Sequence, residues 1–185
     1  LNTIVELVSD EDTLNQLRRV YGPYVLNKNV VADYVFEIKR LHEDNSVPTW
    51  EIPKVDFNSG NISIKNSGFA ANINNSTHLS SGEFCPSQTI QGVNHCIIYI
   101  LSMHALLKGG LLLHSACIER NERAYFFLGR SGSGKSTVAR LSLPARVLND
   151  DVVGILPTDA GWMAYPLPFW HNNQTRPSAR TDPVL

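Results

Sequence analysis

Apolar and polar positions recur along this chain with two different periods. Tyr34, Phe36 and Ile38 alternate with Val35, Glu37 and Lys39, the period of two that marks a strand with one buried face. Ile62 and Ile64 alternate with polar neighbours, and 69–73 repeats the pattern. The breaks between these runs, Asn58-Ser59-Gly60-Asn61 and Asn66-Ser67-Gly68, are rich in turn formers. Ahead of them, 3–8 reads as a short strand. Leu14, Leu17 and Tyr21 then share one helical stripe, which Gly22-Pro23 ends. Ser9 is the expected N-cap, with Asp12 three residues on. Acidic residues 10–12 in the first turn and Arg18 and Arg19 in the last suit the helix dipole. Over 88–108 the period lengthens. Ile90, Val93, Ile97, Ile100 and Leu101 recur at three- and four-residue steps, predicting a helix that Gly109-Gly110 closes.

The remainder alternates between strands and connections. Residues 111–119 and 123–128 read as strands joined by so short a polar link that they must form an antiparallel hairpin, because a parallel crossover needs a dozen residues or more. A helix over 137–143 stops at Pro144, a strand follows over 145–148, and 152–156 pairs with 162–165. Pro166, Pro168 and Pro177 mark an irregular tail. The pattern implies an α/β fold of the α+β kind: an N-terminal, mostly antiparallel β subdomain over 1–87, and a core with a mixed sheet over 88–185.

Composition narrows the function. Of 185 residues, 43% are hydrophobic and 18% charged, so a packed core is expected. The formal net charge of −1 carries no basic surplus, which argues against a nucleic-acid partner. Cys85, Cys96 and Cys117 show no C-x-x-C spacing and are odd in number. They read as small buried hydrophobes in a reducing, cytoplasmic setting. The apolar stretch 96–113 is interrupted by His104, Lys108, Gly109 and Gly110, so no membrane span is expected there. No signal peptide is visible at Leu1, and the missing initiator Met reads as trimming. His42, His78, His95, His104 and His171 are isolated and read as packed or solvated side chains rather than metal ligands.

The candidate chemistry sits in Gly129-Arg130-Ser131-Gly132-Ser133-Gly134-Lys135-Ser136-Thr137, which matches the phosphate-binding pattern G-x-x-x-x-G-K-[ST]. Glycines let such a loop wrap an anion closely, and its amides form a nest for phosphate oxygens. Lys135 would reach the outer phosphates and the Ser136 hydroxyl would ligate Mg²⁺. The apolar strand before the loop and the helix after it fit that role. Asn149-Asp150-Asp151 ends the next strand. One of its two carboxylates suits holding Mg²⁺ and the other suits accepting a proton; the bland alternative is an Asp-Asp turn.

Three features together resemble the HPr kinase/phosphorylase family, whose nucleotide-binding core is shared with phosphoenolpyruvate carboxykinases: Leu113-His114-Ser115-Ala116 ahead of the loop, the loop 129–137, and Leu148-Asn149-Asp150-Asp151. The likeness covers about 111–168. It implies a P-loop kinase core and an ATP- and Mg²⁺-dependent phosphotransferase acting on a Ser or Thr hydroxyl of a protein or peptide. An inactive ATP-binding regulatory or scaffold module is the alternative. By that resemblance Lys135 and loop residues 129–137 bind ATP phosphates, Ser136 and Asp150 hold Mg²⁺, and Asp151 is the general base with His114 beside it. Thr137 stands where HPr kinases carry an acidic residue, and the family's downstream segments are not recognisable in 169–185, so the resemblance reads this core as C-terminally incomplete, with those segments either beyond this sequence or lost. The strand-rich first half carries no catalytic motif and reads as a docking or homo-oligomerisation layer.

Overall fold

The computed structural model describes residues 3–26, 30–42, 51–169 and 182–184. The tail that contains His171 and Pro177 lies outside the described residues. The fold is α+β, with one mixed sheet, one antiparallel sheet and three α-helices among the described residues. The chain divides into two compact units. One runs through Gly22 and from Leu26 to Met103; the other takes Pro23–Val25 and the chain from His104 on.

The first unit is built on β1 (Val5–Val8), α1 (Glu11–Tyr21), β2 (Tyr34–Arg40), β3 (Lys54–Asn58), β4 (Asn61–Lys65), β5 (Phe69–Asn74) and β6 (Leu79–Phe84). The strands form a six-stranded sheet in the order β1-β2-β6-β5-β4-β3. This sheet is mixed rather than a simple antiparallel run, because β1 pairs β2 in parallel and β2 pairs β6 in parallel. For the β1–β2 pair the cause is α1, which occupies the link between them and turns it into a crossover. From β6 to β3 the pairing is antiparallel.

One face of this sheet is apolar. Phe36, Ile64, Ile73 and Phe84 are fully buried at alternating positions, and each such side chain contributes roughly 1.5–3 kcal/mol by leaving water. The long helix α2 (Thr89–Leu107) follows a short 3₁₀ turn at Pro86–Gln88. It buries Val93, Ile97, Ile100 and Leu101 of the stripe its periodicity predicts, together with Cys96, while Ile90 is partly buried. His95 stacks on Phe69 with ring centroids 6.1 Å apart and packs rather than ligates. Burial holds its pKa below the ordinary imidazole value. With its preceding turn, the helix of Pro86–Leu107 is long and apolar enough to cross a membrane by length and composition, at a mean hydropathy of 1.3.

The cap of α1 differs from expectation by one residue. Asp10, not Ser9, is the N-cap, accepting from Thr13 N at 2.9 Å and Thr13 Oγ1 at 2.8 Å. The Ser9 hydroxyl is drawn instead to the Ile38 carbonyl of the neighbouring strand, at 2.8 Å. The backbone bond from Thr13, with that from its hydroxyl, holds the Asp10 carboxyl below the usual range.

The second unit contains β7 (Leu111–Arg120), β8 (Arg123–Leu128), α3 (Lys135–Leu141), β9 (Arg146–Asn149), β10 (Val152–Thr158) and β11 (Gly161–Pro166). Its strand order is β11-β10-β7-β8, with β9 also on β7. Asn121 and Glu122, at φ of 53° and 60°, make the tight turn between β7 and β8. Every pairing here is antiparallel. The expected mixed sheet around the loop is thus corrected. β8 and β9 do run the same way, but the opposed strand β7 lies between them.

All three cysteines are free and buried, and burial pushes the Cys96 and Cys117 thiols up to about 12.

Gly110 opens β7 at a point with no room for a side chain. A Cβ there would run into the Ile155 carbonyl and the Leu156 side chain of β10. Gly110→Ala is expected to destabilise the protein by about 1–3 kcal/mol through overpacking, read as a lowered urea midpoint.

Candidate functional site

The site is assembled at one end of β7. Ser115 is paired with Leu128, the last residue of β8, on one edge. On the other edge its N–H donates to the Asp151 carbonyl at 2.9 Å. The glycine loop that follows Leu128 and the acidic pair that follows β9 therefore leave the sheet at the same end. The two exits stand two strand spacings apart, roughly 9–10 Å.

They also share a face. Alternation along β7 puts His114 on the side of Ala116 and Ile118. Those two pack with Val147 and with Ala139 of α3, the helix that begins at the end of the loop. His114 Nε2 lies 3.1 Å from Asp151 Oδ1, so the Asp151 carboxylate is on that face too. Cys117, Leu148, Val153 and Ala164 fill the opposite side.

The acidic pair is positioned by a neighbour with no expected role. Asn149 is fully buried. Its Oδ1 accepts from Asp151 N at 2.8 Å and Val152 N at 3.1 Å, and its Nδ2 donates to the Leu167 carbonyl at 2.7 Å. This is the local turn that Asn forms with its own following backbone. An Asn ahead of two aspartates at a strand end was the available signal. The two carboxylates differ sharply: Asp150 is 2% exposed, whereas the Asp151 side chain is 34% exposed.

In the loop, Gly132 and Gly134 take φ of +78° and +91°, which side-chain-bearing residues rarely adopt. No atom lies within 4 Å of the place where a Cβ would sit at either. At Gly129 a Cβ would press into Ser133, whose own Cβ would be 3.0 Å away. Ser133 N closes a turn onto the Arg130 carbonyl at 3.1 Å. The N–H groups of Gly132, Gly134, Lys135 and Ser136 find no acceptor among the described residues. Lys135 Nζ bonds the carbonyls of Gly129 at 2.9 Å and Arg130 at 3.2 Å, which leaves one of its three N–H groups. Arg130, Ser131, Ser133 and Thr137 are exposed, and Ser136 is half-buried. No group of three or more His, Cys, Asp or Glu side chains gathers into a metal site among the described residues.

Residues 87–180 match the family model described as SynChlorMet cassette protein ScmC. The chain belongs to the ScmC family. No curated protein matches it. The match overturns the resemblance to HPr kinase/phosphorylase: the family is ScmC, whose description names neither a kinase nor an ATP-binding or P-loop protein. The phosphotransferase reading, and the inactive ATP-binding module kept as its alternative, fall with it. The error has a physical origin. Strand His, glycine loop and Asp pair are short local features that specify a geometry, and a geometry can be shared by chains of different function.

Replacing Asn149 tests how this ScmC family member holds its site. Asn149→Ala leaves two partly buried backbone N–H groups without their acceptor, each costing about 1–3 kcal/mol, while the Leu167 carbonyl keeps the Tyr24 hydroxyl at 3.1 Å. A loss of roughly 2 kcal/mol or more is expected in urea unfolding.

Proposed function

We propose that the loop 129–137 of this ScmC family protein binds the phosphate groups of a di- or triphosphate anion. The observation that carries the reading is the set of four backbone N–H groups, at Gly132, Gly134, Lys135 and Ser136, that find no acceptor among the described residues, with open space beside Gly132 and Gly134. Peptide N–H groups left unpaired at such a bend form an anion nest. Lys135 is held at its rim with one donor to spare, and the Arg130 guanidinium is exposed beside it. The chain contributes positive potential and hydrogen-bond donors; it has no need of a wide pocket to capture phosphate oxygens.

For a divalent cation the fit is with Mg²⁺, which binds through one or two carboxylates together with phosphates and keeps several waters. Ser136 and the Asp150-Asp151 pair would hold it, Asp151 being the more accessible carboxylate. When bound, the ion would neutralise phosphate charge. His114 fixes the Asp151 side chain in place. The role proposed is binding of phosphate, with no transfer step assigned to it.

Thermal melting with and without Mg-ATP, and with Mg-pyrophosphate, tests this. At a ligand concentration one hundred times Kd, linkage adds about 2.7 kcal/mol, a rise on the order of 5–10 °C for a chain of this length. Lys135→Ala should remove most of that rise while leaving the unliganded melt near its original temperature. An unshifted wild-type melt with both ligands would overturn the reading. A response to pyrophosphate equal to that of ATP would identify phosphate, rather than the nucleoside, as what is recognised.

A further inference from the structure

We propose that the free edge of β3 is a self-association surface, on which a second copy of this chain adds its own β3 antiparallel to form a continuous sheet. β3 ends the strand order of the six-stranded sheet and has no strand on its outer edge among the described residues. The chain approaches β3 from the β4 side. The Glu51 carbonyl accepts from Asn66 Nδ2 at 3.4 Å and the Glu51 carboxylate from Ser67 N at 2.9 Å, which puts Glu51 beside the turn after β4. An uncovered edge with exposed apolar groups is a template for another strand. Phe57 is 68% exposed at this edge.

The hydrogen-bond pattern fixes which groups are on offer. β3 and β4 form a hairpin through Ser59 and Gly60, both at positive φ, with Asn58 opposite Asn61. In such a two-residue turn the flanking pair is hydrogen-bonded. Lys54, Asp56 and Asn58 therefore turn their backbone toward β4, and Val55 and Phe57 turn theirs outward.

Charge then selects one partner and one register. Lys54 lies directly opposite Lys65 of β4, an unfavourable like-charge placement, and neither Lys54 nor Asp56 forms an ion pair among the described residues. Two copies of β3 related by a two-fold axis pair residues symmetrically. With Val55 opposite the partner's Val55, Lys54 faces the partner's Asp56 and Asp56 faces the partner's Lys54. Sliding one way sets Asp56 against Asp56; sliding the other sets Lys54 against Lys54. Only the central register brings opposite charges together, and it joins Val55 and Phe57 of both copies into one apolar stripe on the face of Ile62 and Ile64. The edge strand β8 offers no such choice, since Arg123 at its start is its only charged residue.

Sedimentation velocity of the full chain over a concentration series reads this out. The wild type should show a reversible monomer–dimer equilibrium. Asp56→Lys places Lys opposite Lys twice across the axis and should weaken dimerisation by about tenfold or more. The double change Lys54→Asp with Asp56→Lys restores both opposite-charge pairs and should restore the dimer. Because these side chains are exposed, far-UV circular dichroism should be unchanged in all three. A monomer at every concentration, a dimer indifferent to Asp56→Lys, or a double variant that stays as weak as the single one would each overturn the proposal.

Discussion

The buried amide of Asn149 is the interaction on which the candidate site depends. It satisfies three backbone groups at the point where the chain leaves β9 and enters β10. An interior carbonyl or N–H left unpaired is costly, so the chain at this point is held to one path. That path directs the Asp151 carbonyl to Ser115 and the Asp151 carboxylate to His114. Without it the acidic pair would be an ordinary polar turn. With it, one carboxylate is buried and the other stands at the sheet end from which the glycine loop also departs.

The antiparallel strand β7 gives that end its shape. It lies between β8 and β9 and pairs with both, with a register shift against β9 between Cys117 and Ile118. Loop and acidic pair are consequently separated by one strand instead of emerging from immediate neighbours. On the face of His114, α3 packs against β7 through small residues such as Ala139. The mixed sheet of the other unit does different work. Its alternating apolar face seats α2, and β3 ends its strand order among the described residues.

A glycine-loop pattern is informative about backbone geometry and much less so about reaction. The features read as kinase machinery belong to a chain of the ScmC family. Positive φ at two glycines and a lysine folded over its own loop carbonyls are properties of the backbone path. Those properties say nothing of what leaves or attacks a phosphorus atom, because that chemistry depends on the partner molecule and on residues distributed over the whole fold.

Local order was largely written in the sequence. Period-two alternation placed Tyr34, Phe36 and Ile38 on one buried face. Three-and-four spacing placed α2, and the brevity of the link at Asn121-Glu122 required the hairpin of β7 and β8. These follow from short-range geometry, in which side-chain direction repeats every two or about 3.6 residues. The loop residues could likewise be read from their order alone. What the sequence could not hold was which strands become neighbours: the parallel pairing of β1, β2 and β6, the placement of β7 between β8 and β9, and the competition that draws Ser9 to Ile38 and leaves the helix cap to Asp10. The same is true of the unequal burial of Asp150 and Asp151 and of the bonds made by Asn149. Each is settled by contacts between residues distant along the chain, and such contacts are chosen by the packing of whole sheets rather than by any local pattern.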